Sequence, residues 1–109
     1  MRFYRIEMTE LAEEDLENIG DYIAFELKAP LAALDTVNGI REKADSLQQY
    51  PERHQLDEDE ELAKLGIRRI FYRNYKIYYI VQQDTVKVVR ILHMLIDSRS
   101  RLYKDFALE

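Results

Sequence analysis

The 109-residue sequence contains no cysteine, which removes both a disulfide framework and any thiolate metal site. Its three glycines, Gly20, Gly39 and Gly66, stand far apart, so no glycine-rich phosphate loop can form. Histidine is scarce too. His54 lies in an acidic stretch and His93 at the end of an apolar run, neither with a second ligand at useful spacing. No metal and no cofactor is therefore expected. No apolar run approaches the roughly 20 residues that a membrane-spanning helix needs. Met1-Arg2-Phe3-Tyr4-Arg5 also lacks the apolar region of a signal peptide. The expectation is a cytoplasmic protein with no membrane partner. Ser98 and Ser100 flank Arg99 with no general base at hand, which argues against a serine nucleophile.

What is present suits one folded domain spanning 1–109: 47% hydrophobic and 34% charged residues, in a chain too short for a second core. The net charge of −5 hides an asymmetry. Residues 1–63 hold six Lys/Arg against seventeen Asp/Glu, about −11; residues 64–109 hold ten against four, about +6. An acidic half is followed by a basic one, and the basic half suggests a polar partner.

Periodicity gives the elements. Tyr4, Ile6 and Met8 alternate with Arg5 and Glu7, the period of a half-buried strand. Thr9 precedes Glu10, Glu13, Glu14 and Asp15, an N-cap followed by acids where the helix dipole favours them. Ala12, Leu16, Ile19, Ile23 and Leu27 then form the apolar stripe of a first helix. Pro30 suits the first turn of a second helix, with Ala33, Val37, Ile40, Ala44 and Leu47 as its stripe and Tyr50-Pro51 as its end. Residues 52–63 read as a charged loop with one helical turn around Glu60–Lys64. Ile67–Tyr72, Tyr75–Gln82 and Val86–His93 have strand composition, joined by two-residue turns at Arg73-Asn74 and Gln83-Asp84. A polar tail is expected from about residue 97. The predicted fold class is α+β: β-α-α-β-β-β, with a two-helix hairpin on one face of a largely antiparallel four-stranded sheet. Its opposite face is expected to stay open for function.

The helical acids Glu13, Glu17 and Asp21 read as a solvated face. The stronger candidates lie in the basic half, where Arg68, Arg69, Arg73, Lys76 and Arg90 fall among Tyr72, Tyr75, Tyr78 and Tyr79. Cations on a sheet beside aromatic rings can bind phosphates and stack bases, or receive an acidic protein surface equally well. In a regular strand Arg90 and His93, three apart, point to opposite faces and share a site only if a bulge intervenes.

The run Ile67-Arg68-Arg69-Ile70-Phe71-Tyr72-Arg73-Asn74-Tyr75-Lys76-Ile77-Tyr78-Tyr79-Ile80-Val81, with Val86 through Arg90-Ile91-Leu92-His93, resembles the C-terminal signature of RelE/ParE toxins. Thr9 to Asp21 and Tyr50-Pro51 resemble that family's first helix and helix break. The resemblance implies the toxin of a type II toxin–antitoxin (plasmid stabilisation) pair, neutralised by a cognate antitoxin and causing growth inhibition. Two activities are implied by different branches. A ParE-like toxin inhibits a protein target such as DNA gyrase. A RelE-like toxin is a metal-independent endoribonuclease acting on messenger RNA in the ribosome. In the second case the resemblance assigns catalysis to Arg69, Lys76, His93, Arg99 and Tyr103. In either case Arg68, Arg73, Arg90 and Tyr75 are expected to bind a partner or nucleic acid. Lys76 stands where the nucleases usually have arginine, and Met94 follows His93 where one subgroup has tyrosine. The run Arg90–His93 is nearer to ParE-like members. A third reading is an inactive relative that only binds its partner.

Overall fold

A computed structural model describes residues 2–108. The chain runs β1 (Arg5–Met8), α1 (Glu10–Asp21), α2 (Pro30–Asp45), α3 (Glu60–Lys64), β2 (Arg68–Tyr72), β3 (Tyr75–Gln82), β4 (Thr85–His93) and α4 (Ser98–Asp105). The strands form one sheet in the order β1-β4-β3-β2, with β1 parallel to β4 and the other pairs antiparallel. This is the predicted α+β architecture.

Thr9 caps α1 as its spacing requires, accepting from the Ala12 N–H at 3.1 Å. The first helix then departs from α geometry. Tyr22–Glu26 form one wider π turn that ends at Lys28, in the left-handed region at φ 53°. Pro30 opens α2 as expected, but α2 closes at Asp45, before Tyr50-Pro51, through a tight 3₁₀ turn at Ser46–Gln48. The α1–α2 hairpin lies on one face of the sheet. Ala12, Leu16, Ile40, Ala44 and Leu47 pack there against Ile70, Ile77, Tyr79, Val86, Val88 and Ile91. Tyr72 crosses α2 at Gly39, where a Cβ would come within 2.0 Å of the tyrosine oxygen, so only glycine admits that approach. The Tyr79 hydroxyl, buried at the centre, donates to the Pro51 carbonyl at 2.6 Å.

The opposite face is covered, contrary to expectation. The segment read as a polar tail contains α4, and α4 with α3 encloses a second core of Leu62, Ile67, Tyr78, Val89, Leu92 and Leu102. The tail is polar on average yet carries Ile96, Leu102, Tyr103, Phe106 and Leu108 at spacings that give a short amphipathic helix one apolar face. A two-helix, one-face layout therefore becomes a sheet lined on both sides.

β4 carries one irregularity. Tyr78 pairs with Arg90 and Tyr79 with Val88, so Val89 is an extra residue, a bulge. Simple alternation would group Arg90 and Leu92 with Val86 and Val88. The bulge instead sends Ile91 to the helical-hairpin core with Val86 and Val88, and Leu92 to the second core with Val89.

Candidate functional site

β1 ends opposite Val88, so the last turn of β4 runs on as a free margin. A groove of about 760 Å³ follows that margin, between the π turn of α1 and the segment leading into α4. Ile19, Tyr22, Ile23 and Leu27 form one wall; Tyr75, Leu92, His93 and Leu95 form the other. Leu27, read from the sequence as core, is 57% exposed, and Leu95 is 90% exposed. Phe25, Leu31 and Leu34 at the hairpin tip are also exposed, extending the apolar surface beyond the groove. A folded chain keeps such a surface when a partner covers it. Arg73 and Arg101 line the same groove. Arg73 reaches Asp35 at 3.0 Å and lies 5.1 Å from the Tyr72 ring; Arg101 makes no ion pair among the described residues.

Arg90 sits in the floor of this groove, but its guanidinium is committed inside the chain. Nε and Nη2 donate to the two Asp15 oxygens at 2.8 Å each, and Nη1 donates to Asp105 at 3.0 Å. Asp15 also accepts from the Ile91 N–H at 2.8 Å. The Asp15 hydrogen bonds, then those of Asp105, raise the Arg90 pKa above its ordinary value. Arg90 thus ties α1 and α4 to β4. His93 receives the Leu95 N–H on Nδ1 at 3.1 Å and meets the Tyr75 ring edge-on at 5.4 Å. Burial raises the Tyr75 pKa, with a smaller contribution from Tyr22. Arg90 and His93 do share one groove. The bulge precedes both and does not turn them to one face; the free margin of β4 opens both faces to the same space.

The remaining nuclease candidates gather elsewhere. Arg69, Lys76 and Arg99 line a shallower basin of about 580 Å³ between the acidic loop and the start of α4. Asp57, Glu58, Asp59 and Asp97 line it too, four carboxylates against three cations. Arg69 is held at 3.5 Å by Asp57 and 3.1 Å by Glu58. Arg99 donates to Asp59 at 2.7 Å and to the Tyr103 oxygen at 3.3 Å, while Tyr103 donates to the other Asp59 oxygen at 2.7 Å. These two bonds hold the Asp59 carboxyl below its usual range, and the bond to Asp59 pushes the Tyr103 phenol up. Lys76 donates to the Ile96 carbonyl at 3.4 Å. Arg68, half-buried on β2, donates to the backbone carbonyls of Glu52 and His54.

The nine sequence candidates thus fall into three places. Arg69, Lys76 and Arg99 meet in the acid-lined basin, and Tyr103 is tied to it through Asp59 and Arg99. His93, Tyr75, Arg73 and Arg90 meet in the groove. Arg68 braces the loop before β2. Sequence reasoning missed the apolar groove and the carboxylates that claim the basin's cations. Leu31 and Leu34 carried a signal for the first, since both lie off the α2 stripe where a solvated helix is polar. Among the described residues no three His, Asp or Glu side chains group to hold a metal ion. No helix there is long and apolar enough to cross a membrane.

No curated protein matches the chain by sequence. Among solved structures it is similar to the chromosomal ParDE toxin–antitoxin system from P. aeruginosa, with 23% identity and a TM-score of 0.71, covering 84% of this chain and 96% of that one. It is also similar to the RelBE2 toxin–antitoxin complex from Mycobacterium tuberculosis, with 23% identity and a TM-score of 0.62, covering 85% and 93%. At that identity the likeness is one of fold. The family model for the ParE toxin of type II toxin–antitoxin systems matches residues 6–97, most of the chain, and this protein belongs to that family.

Proposed function

We propose that this toxin is ParE-like in action: it inhibits a protein target such as DNA gyrase, does not cut messenger RNA, and is held inactive by a cognate antitoxin. The observation that carries this reading is the neutralisation of the basin. A nuclease of this class must offer unpaired cations to a scissile phosphate and to the charge that grows on it. Here Arg69 and Arg99 already hold Asp57, Glu58 and Asp59 at 2.7–3.5 Å. The one histidine candidate lines the groove and not the basin. RNA would have to displace three carboxylates to reach Arg69 and Arg99, which still lack an imidazole partner.

The groove supports protein recognition instead. Its apolar walls, exposed leucines and two flanking arginines match an amphipathic segment with acids on its borders, laid along the free margin of β4. We assign this groove to the antitoxin. The ribonuclease reading keeps one supporting observation, the meeting of Arg69, Lys76 and Arg99 in one basin with Tyr103 bonded to Asp59 and Arg99 at its side.

Two assays on the purified chain separate the readings. Added to gyrase, it is expected to block supercoiling of relaxed plasmid; added to translating ribosomes, it is expected to leave the message intact. Cleaved message with unimpaired supercoiling would establish the ribonuclease instead. No growth arrest on expression would identify an inactive relative.

A further inference from the structure

The hairpin tip and the groove beside β4 are two parts of one apolar surface, and they differ in shape. The tip is where the chain reverses between α1 and α2, so it projects. It is built on the π turn Tyr22–Glu26 and the left-handed Lys28, where the first helix leaves α geometry. Phe25 is 74% exposed there and Leu31 81%, with Leu34 one helical turn beyond. The groove is a recess of about 760 Å³ with apolar walls. Leu27 joins the two, since it closes the π turn and also lines the groove.

The charges of the two parts are opposite. Asp21, Glu26 and Asp35 stand around the tip and outnumber Lys28, whereas Arg73 and Arg101 line the groove. In the groove floor Arg90 and Asp15 satisfy each other. One pair between tip and groove already forms within the chain, Arg73 with Asp35 at 3.0 Å. Asp21, Glu26 and Arg101 are exposed and make no ion pair among the described residues. The tip therefore offers free acid, and the groove a free guanidinium.

A surface that holds a projection beside a recess, with opposite free charges on the two, is complementary to a copy of itself turned about a two-fold axis. We propose that the free toxin forms a closed two-fold dimer in which the tip of each protomer enters the groove of the other. Phe25 and Leu31 seat against the apolar walls, and Glu26 pairs with the partner's Arg101. The contact closes at two chains, because each copy uses both of its parts at once. A single segment laid in the groove leaves Phe25 and Leu31 bare; a second copy covers tip and groove together. That the antitoxin must displace this second copy rests on the groove assignment above, while the dimer itself does not.

Sedimentation of the purified free chain across a concentration series tests the proposal. No antitoxin is present, so the outcome stands whatever occupies the groove in the complex. The expected result is a reversible monomer–dimer equilibrium that stops at two chains. Phe25→Asp and Leu31→Asp are each expected to weaken association about tenfold or more, the scale of a lost apolar anchor. Glu26→Arg and Arg101→Glu each set like charges against one another and are expected to weaken it too. The double variant Glu26→Arg with Arg101→Glu reverses the pair and is expected to recover most of that loss. All four positions are exposed, and circular dichroism checks that each variant keeps the wild-type fold. The proposal is overturned if the chain is monomeric at every concentration, which leaves the tip to the antitoxin or the target. It is equally overturned by growth past the dimer, by tip variants that associate as tightly as wild type, or by a double charge variant no tighter than the single ones.

Discussion

At the scale of single residues, Arg90 shows how the same side chain reads differently with and without its partners. In the sequence it is a strand cation beside tyrosines, and so a candidate for phosphate. In the structure its side chain is 10% exposed, and all three guanidinium nitrogens are spent on Asp15 and Asp105. Removing the cation strands two carboxylates, so Arg90→Ala is expected to destabilise the fold by about 3–5 kcal/mol. Arg90→Lys keeps the charge, loses the fork, and is expected to recover only part of that stability. Asp105→Asn is expected to cost less than Asp15→Asn, because Asp15 also receives the Ile91 N–H. Urea unfolding midpoints check the ranking. Nothing near Arg90 in the sequence names its partners, which lie 75 and 15 residues away. Local reading supplies residue types and their periodicity; it does not supply which distant acid an arginine will find. The same gap hid the carboxylates of Asp57, Glu58 and Asp59 from the reading of the basin.

At the scale of elements, the legible parts were those whose signal is local. The cap at Thr9, the proline start of α2, the apolar stripes of α1 and α2, the single turn at Glu60–Lys64 and the three C-terminal strands all follow from neighbours within a few residues. α4 did not. Its average polarity marks a tail, and its apolar residues become a face only once the second side of the sheet offers Tyr78, Val89 and Leu92 to cover. Helices of this length gain most of their stability from such packing. Leu102 is fully buried at that contact, so Leu102→Ala is expected to cost about 2–5 kcal/mol. Native-state hydrogen exchange would then show amides of α4 opening ahead of those in β3 and β4. Uniform loss of protection across the whole sheet would argue that α4 is not a separable cover. The bulge at Val89 is likewise illegible locally, because strand alternation carries no mark of an added residue when every side chain from Val86 to Val89 except Lys87 is apolar.

At the scale of the whole molecule, the sheet is sealed on both faces, and the surface left for recognition is the margin of β4 and the hairpin tip. The sealing has a consequence in alkali. Burial holds the Tyr79 phenol at about 12, against 10 in an unfolded chain, and Tyr75 and Tyr78 are shifted the same way. A raised folded value means the native state keeps its proton longer. The stabilisation is therefore complete below pH 10 and is lost as pH rises through about 12, by about 3 kcal/mol for Tyr79 alone. Unfolding free energy is expected to fall across that window, and Tyr79→Phe is expected to flatten the decline.

The central claim is that the groove beside β4 is the surface an antitoxin covers, while Arg69 and Arg99 of the basin stay paired with carboxylates. Co-purification with a co-expressed cognate antitoxin tests that claim most directly. Leu27→Asp and Leu95→Asp, at exposed positions lining the groove, are expected to abolish co-purification; Leu65→Asp, exposed outside it, is expected to leave it intact. Retention of the antitoxin by both groove variants, with their folds preserved, would contradict the account.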